Sequence, residues 1–198
     1  ARFSQVLVEL EDHYSKYRMS DALMTTYKLI WDDYCSWLLE MIKPPFGEAI
    51  DQSTYEEVIS ILEDNLKILH PFTPFITEEI WQLLKERPVD EALIISKWPE
   101  TGKVDEAIIQ DFAFASEVIT GVRSIRKSKN ISFKDEISFL VLNPEMITDR
   151  FDAVIKKLGN LSEIKYVDKK VNGAISFRVK SNEYFIPVEG TLDIEAER

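Results

Sequence analysis

Five cations, Arg123, Arg126, Lys127, Lys129 and Lys134, fall between Glu117 and Asp135 with no carboxylate among them. Arg123 and Lys127 stand at i and i+4, so on a helix they share one face, turned away from Ile119 and Val122, and can grip two phosphates. The same pair would equally offset the negative end of a helix dipole and solubilise it. Tyr17 and Arg18, beside Met19, form a second group, in which a ring stacks on an unpaired nucleotide and a guanidinium neutralises it. The simpler alternative there is a structural corner with Tyr17 in the core. Phe133 beside Lys134 is ambiguous in the same way.

Other chemistry finds little support. Cys35 is the only cysteine, His13 and His70 are the only candidate bases, and neither histidine has a motif context. Cys35 lies in a tryptophan-rich helical stretch and reads as a small buried hydrophobe. His70, ahead of Pro71, reads as a packed or capping residue. No metal-ligand spacing is present, so neither a catalytic nor a metal site is expected.

The formal net charge of −11 opposes simple nucleic-acid binding, because phosphates repel an acidic surface. The basic island is the exception that the average conceals. At 198 residues and 45% hydrophobic content the chain can bury a substantial core, and its 6 glycines and 8 prolines argue against a disordered polymer. No apolar run reaches bilayer length and no signal peptide precedes Arg2, so a soluble protein without a membrane partner is expected. A lone thiol is compatible with a reducing cytoplasm. Ala1 in place of an initiator methionine suggests a piece excised from a longer polypeptide.

The elements that must position these residues follow from periodicity. Phe3, Val6, Leu7, Leu10, Tyr14 and Tyr17 recur at helical spacing, predicting a first helix to Tyr17. Ser20 is placed to cap a second, with a stripe of Leu23, Tyr27, Ile30, Tyr34, Trp37, Leu38 and Met41, ended by Pro44 and Pro45. Ser53-Thr54-Tyr55-Glu56 is a capping-box pattern opening a third helix along Val58, Leu62, Leu66 and Leu69. Pro74 after Thr73, or Thr77 with Glu78 and Glu79, starts a fourth near Ile80, Trp81 and Leu84. Leu93 to Trp98 reads as an extended connector. Ile108, Phe112, Ala115, Ile119 and Val122 define a long last helix, with Ile125 and Arg126 straddling the continuation of its seam. Five helices sharing one core, with Trp31, Trp37, Trp81 and Trp98 in it or at its rim, make residues 1–130 a bundle.

Beyond Asn130 the period changes. Ile137, Phe139 and Val141 alternate as a strand, and Asn143-Pro144 starts a short helix through Ile147, Phe151, Val154 and Leu158, which Gly159 stops. Ile164 and Tyr166 mark a second strand, Asn172-Gly173 a type I′ hairpin turn, and Tyr184, Ile186 and Val188 a strand that Pro187 assigns to an edge or a bulge. The fold class expected is α+β, mainly α: an antiparallel helical bundle followed by a small strand-helix-strand-hairpin unit over 131–190. Residues 191–198 begin an acidic amphipathic segment.

His70-Pro71-Phe72-Thr73-Pro74-Phe75-Ile76-Thr77-Glu78-Glu79-Ile80-Trp81 resembles the end of the anticodon-binding bundle in the class I tRNA synthetases for valine, leucine and isoleucine. The stretch Ser20 to Lys43 is similar to the valyl family's bundle helix, with Leu38 where that family commonly has tyrosine. Leucyl enzymes usually differ at Pro71-Phe72-Thr73-Pro74 and isoleucyl enzymes at Trp37-Leu38-Leu39-Glu40. The resemblance covers nearly the whole chain. It implies a fragment that positions tRNA(Val) for aminoacylation and editing carried out by other domains of a cytoplasmic, monomeric parent that uses ATP. It implies no cofactor in the fragment, and residues 191–198 would open a C-terminal coiled coil. The class I catalytic signatures are absent: Arg126-Lys127-Ser128-Lys129-Asn130 superficially resembles the mobile catalytic loop but closes an amphipathic helix and lacks neighbouring glycines. The family's upstream helix with an Arg-Asn-Phe-x-Asn-Lys-like sequence is also absent, leaving a scaffold with supporting backbone contacts. The rival readings are an acidic helical protein-interaction module that never touches RNA, or the equivalent leucyl or isoleucyl region.

Overall fold

The computed structural model describes residues 1–88, 90–142, 149–171 and 173–187. The expected helix start at Asn143-Pro144 with Ile147, the turn residue Asn172, Val188 and the segment 191–198 lie outside the described residues. The chain divides into two compact units, Ala1–Asp105 and Glu106 onward. The compact units divide before the long last helix, whereas 130 was the expected domain boundary. That helix packs on the sheet of its own unit.

In the first unit, α1 (Arg2–Ser15) buries Val6, Leu7 and Leu10. It stops because Tyr17 turns left-handed, at φ 56°, which lets Arg18 N–H donate to His13 O at 2.9 Å. This is a Schellman-type stop, normally built on glycine or asparagine. Helix α2 (Met19–Lys28) returns immediately, capped by no side chain, so Ser20 does not serve as the expected cap. Its buried face is Ala22, Thr26 and Leu29, one residue away from the expected stripe, while Leu23, Tyr27 and Trp31 are exposed. After so tight a turn the two helices must approach closely, and small side chains admit that approach where Leu and Tyr would not.

From Leu29 to Leu38 the helix continues with π geometry, returning to α form in α3 (Leu39–Ile42). Each i to i+5 turn takes about one residue more than an α turn, so the stripe slides around the helix. Cys35 is exposed, not buried as expected. Of the tryptophans in and near this stretch, Trp31 is exposed and stacks on Tyr27 at 6.2 Å.

Helix α4 (Gln52–Leu69) is capped by Asp51, whose Oδ1 accepts from Thr54 N–H at 2.9 Å. The carboxylate therefore displaces the expected Ser53 capping box by two residues, and these backbone donors hold the Asp51 carboxyl below its ordinary range. Helix α5 (Pro74–Leu84) takes the first of the two starts, with Pro74 at its N-terminus and Thr73 as an N-cap that makes no side-chain cap. Thr77 Oγ1 donates back to Thr73 O at 2.8 Å, so the 2.7 Å contact with His70 makes the imidazole Nδ1 the donor. His70 is a packed residue of this junction. Trp81 is buried, its Nε1 donates to Glu91 O, and the Arg87 guanidinium lies 3.5 Å from its ring centroid. Leu93–Ile95 forms a 3-10 turn, since Glu78 accepts from Leu93 N–H and bends the connector expected to be extended.

In the second unit, α6 (Glu106–Ser128) buries Ala115, Val118, Ile119, Val122, Ile125 and Arg126. Strands β1 (Ile137–Leu142), β2 (Leu161–Val167), β3 (Ala174–Val179) and β4 (Asn182–Pro187) form one sheet in the order β2-β1-β4-β3. The parallel β1–β2 pair is joined through α7 (Asp152–Gly159), and the remaining pairs are antiparallel. Strand β4 lies inside the sheet, not at an edge. Pro187 is tolerated because the pairing with β1 ends at Phe185. Phe139, Phe177 and Tyr184 stack in the core, and burial pushes the Tyr184 hydroxyl up to about 12. Gly121 admits the Phe177 ring against α6, where a Cβ would meet a ring carbon at 2.2 Å.

Candidate nucleic-acid interface

Helix α6 ends by the same device as α1, here with asparagine. Asn130 takes φ 51°, and Ile131 N–H donates to Arg126 O at 2.9 Å while Ile131 itself is buried. The Arg126 to Asn130 run is therefore the tied-down end of a helix and has no loop geometry. This stop fixes where the five cations of the island sit.

Arg126 departs from the expectation of an outward ridge. It is 2% exposed, and its Nε, Nη2 and Nη1 donate to Gly159 O (3.2 Å), Asn160 O (2.8 Å) and Ser132 O (2.8 Å). Burial lowers its pKa while Asp135 opposes that shift. The guanidinium also lies 5.3 Å from the Phe133 ring centroid. Its donors meet the carbonyls of the α7 C-terminus, where the helix dipole is negative. Arg123 reaches the same end, with Nε 3.4 Å from Leu158 O, while its side chain remains exposed. Asn160, left-handed at φ 49°, closes α7 in place of the expected Gly159 and donates to Phe133 O and Asp135 O. Two helix ends and the 132–135 turn are thus held by one arginine and one asparagine.

Lys127 and Lys134 are exposed, and Lys129 is partly buried. Lys156 and Lys157 in the last turn of α7 are also exposed, and sequence reasoning missed them. A basic pair before a helix stop is their only signal, and nothing local says that α6 ends beside them.

Tyr17 and Arg18 belong to the first unit. Tyr17 is 89% exposed, which removes the core-corner reading of its ring. Arg18 pairs with Asp12, and at 4.0 Å with Asp21, so its charge is partly met within the turn. Among the described residues no helix is long and apolar enough to cross a membrane.

The model of the anticodon-binding domain of tRNA ligases matches residues 1–141. The chain belongs to that family. It is 64% identical, over all 198 residues, to a valine–tRNA ligase of Christiangramia forsetii, of which it covers 23%. It is 44% identical over 196 residues, 98% of the chain, to the enzyme of that name from Bacteroides thetaiotaomicron, covering 22% of it. Against the Thermotoga maritima valine–tRNA ligase it is 29% identical over 201 aligned residues, spanning all of this chain and 23% of the relative. The chain thus spans less than a quarter of the length of these relatives. In this anticodon-binding domain the matched region takes in the first unit, α6 and most of β1.

Proposed function

We propose that this chain is the anticodon-binding region of a valine–tRNA ligase, holding the stem and anticodon loop of tRNA(Val) so that the distant acceptor end reaches catalytic and editing domains of the same parent. The parent would use ATP and work in the cytoplasm as a monomer, and the fragment would carry no catalysis of its own. The observation that carries the reading is the exposure of Arg123, Lys127 and Lys134 at and just beyond the close of α6, on a protein of net charge −11. Arg123, Lys127, Lys129 and Lys134 are the phosphate contacts, Tyr17 and Arg18 a separate stacking site, and Arg126 a positioning residue for the first group. Such contacts set register on the RNA without reading its sequence.

The test is a filter-binding titration of the chain with a valine tRNA transcript over a range of salt. Lys127→Glu with Lys134→Glu should weaken binding and flatten the log–log salt slope by roughly 2. Arg123 is left in place because it also touches the α7 carbonyl. Unchanged affinity and slope would place the site elsewhere.

A further inference from the structure

The Arg123 and Arg126 contacts have a consequence for α7. They hold its last carbonyls against the end of α6, so the last turn of α7 and the last turn of α6 adjoin. Lys127 lies one residue beyond Arg126, and Lys156 and Lys157 lie within one helical turn of Asn160. Lys134 stands on the turn that Asn160 and Arg126 tie to the same place. Six cations from two helices and a turn, Arg123, Lys127, Lys129, Lys134, Lys156 and Lys157, therefore gather at one end of the unit. Asp135, on the same turn, faces Arg126.

We infer that α7 contributes Lys156 and Lys157 to a two-helix cationic clamp that takes the phosphate backbone of an RNA stem. This rests on the tRNA-binding reading and extends it to an element beyond the matched region of residues 1–141. The chemistry favours backbone over base. The outward groups are chiefly lysines, which act as point charges, and the guanidinium best suited to bidentate recognition is spent on carbonyls within the protein. Phe133, on the same turn, already has the Arg126 guanidinium beside its ring. A stem presents its phosphates at fixed spacing to a rigid array, whereas a flexible single strand must be ordered first.

The experiment uses the whole 198-residue chain with three probes: the valine tRNA transcript, a blunt RNA duplex, and one strand of that duplex. The Lys156→Gln, Lys157→Gln double variant should remain folded by circular dichroism. Transcript and duplex affinity should fall about tenfold at moderate salt, and the salt slope should flatten by about 1–2. Intact transcript affinity and slope in this variant, with binding weakened by the Lys127 and Lys134 reversals, would overturn the clamp and leave the tRNA-binding reading standing. Equal binding of single strand and duplex would overturn the stem assignment. Failure of the unaltered chain to bind any probe would defeat both.

Discussion

Replacing Tyr17 by glycine tests stability and binding at one residue, with opposite signs. Tyr17 holds φ 56°, a region where a Cβ costs roughly 1–2 kcal/mol and glycine pays nothing. The ring is 89% exposed, so its removal forfeits almost no burial. Glycine's greater freedom in the unfolded chain offsets roughly 0.5–1 kcal/mol of the gain. The net is a stabilisation of about 0.5–1 kcal/mol, or roughly 3–6 °C for a unit of this size. Thermal melting by circular dichroism reads the first arm. If the exposed ring stacks on a nucleotide, its loss should weaken tRNA binding by about 5- to 150-fold, as base–aromatic stacks of about 1–3 kcal/mol require. Tyr17→Phe keeps the ring and should leave affinity within about twofold. Earlier unfolding of the glycine variant would refute the strain account, and unchanged tRNA affinity would remove Tyr17 from the site.

Three further outcomes follow from the packing. Arg126→Leu strands the carbonyls of Ser132, Gly159 and Asn160 and should cost about 3–5 kcal/mol in denaturant melts, with Arg126→Lys recovering part of it. Gly121→Ala should destabilise by about 1–2 kcal/mol, because overpacking against Phe177 outweighs the roughly 1 kcal/mol of helix propensity that alanine adds. Burial pushes the Glu63 carboxyl up, but hydrogen bonds from Arg87 and Lys85 outweigh it and hold it below its ordinary value. A lowered folded-state pKa gives stability that is present above the unfolded carboxylate range and is lost as pH falls through the folded value. Acid melting of the first unit should therefore track Glu63. Glu63→Gln should cost about 2–4 kcal/mol near neutrality, since Arg87 is 3% exposed, and should flatten that acid dependence.

Local signals were strong wherever backbone chemistry within a few residues decides the outcome. Pro74 after Thr73 was one of the two starts open for α5 and is the one taken, and the alternation in Ile137, Phe139 and Val141 marked β1, both for that reason. The capping box slipped to Asp51 and the stop of α7 slipped to Asn160 because two residues within reach can each perform the same function. Leu23 and Tyr27 were misplaced for a different reason. The close approach of α1 turns the small residues Ala22 and Thr26 inward, in place of the face that a uniform 3.6-residue period assigns.

The amino-acid sequence by itself determined the order of elements, the mainly helical α+β class, and the concentration of positive charge between Val118 and Lys134. Only the tertiary structure decided where each cation sits. Arg126 and Lys127 are adjacent cations of one helix end, yet burial against the α7 carbonyls makes Arg126 a clasp while Lys127 stays in solvent. The same packing assigned α6 to the sheet and brought Lys156 and Lys157 to its end, because which helix ends adjoin is settled by long-range contacts.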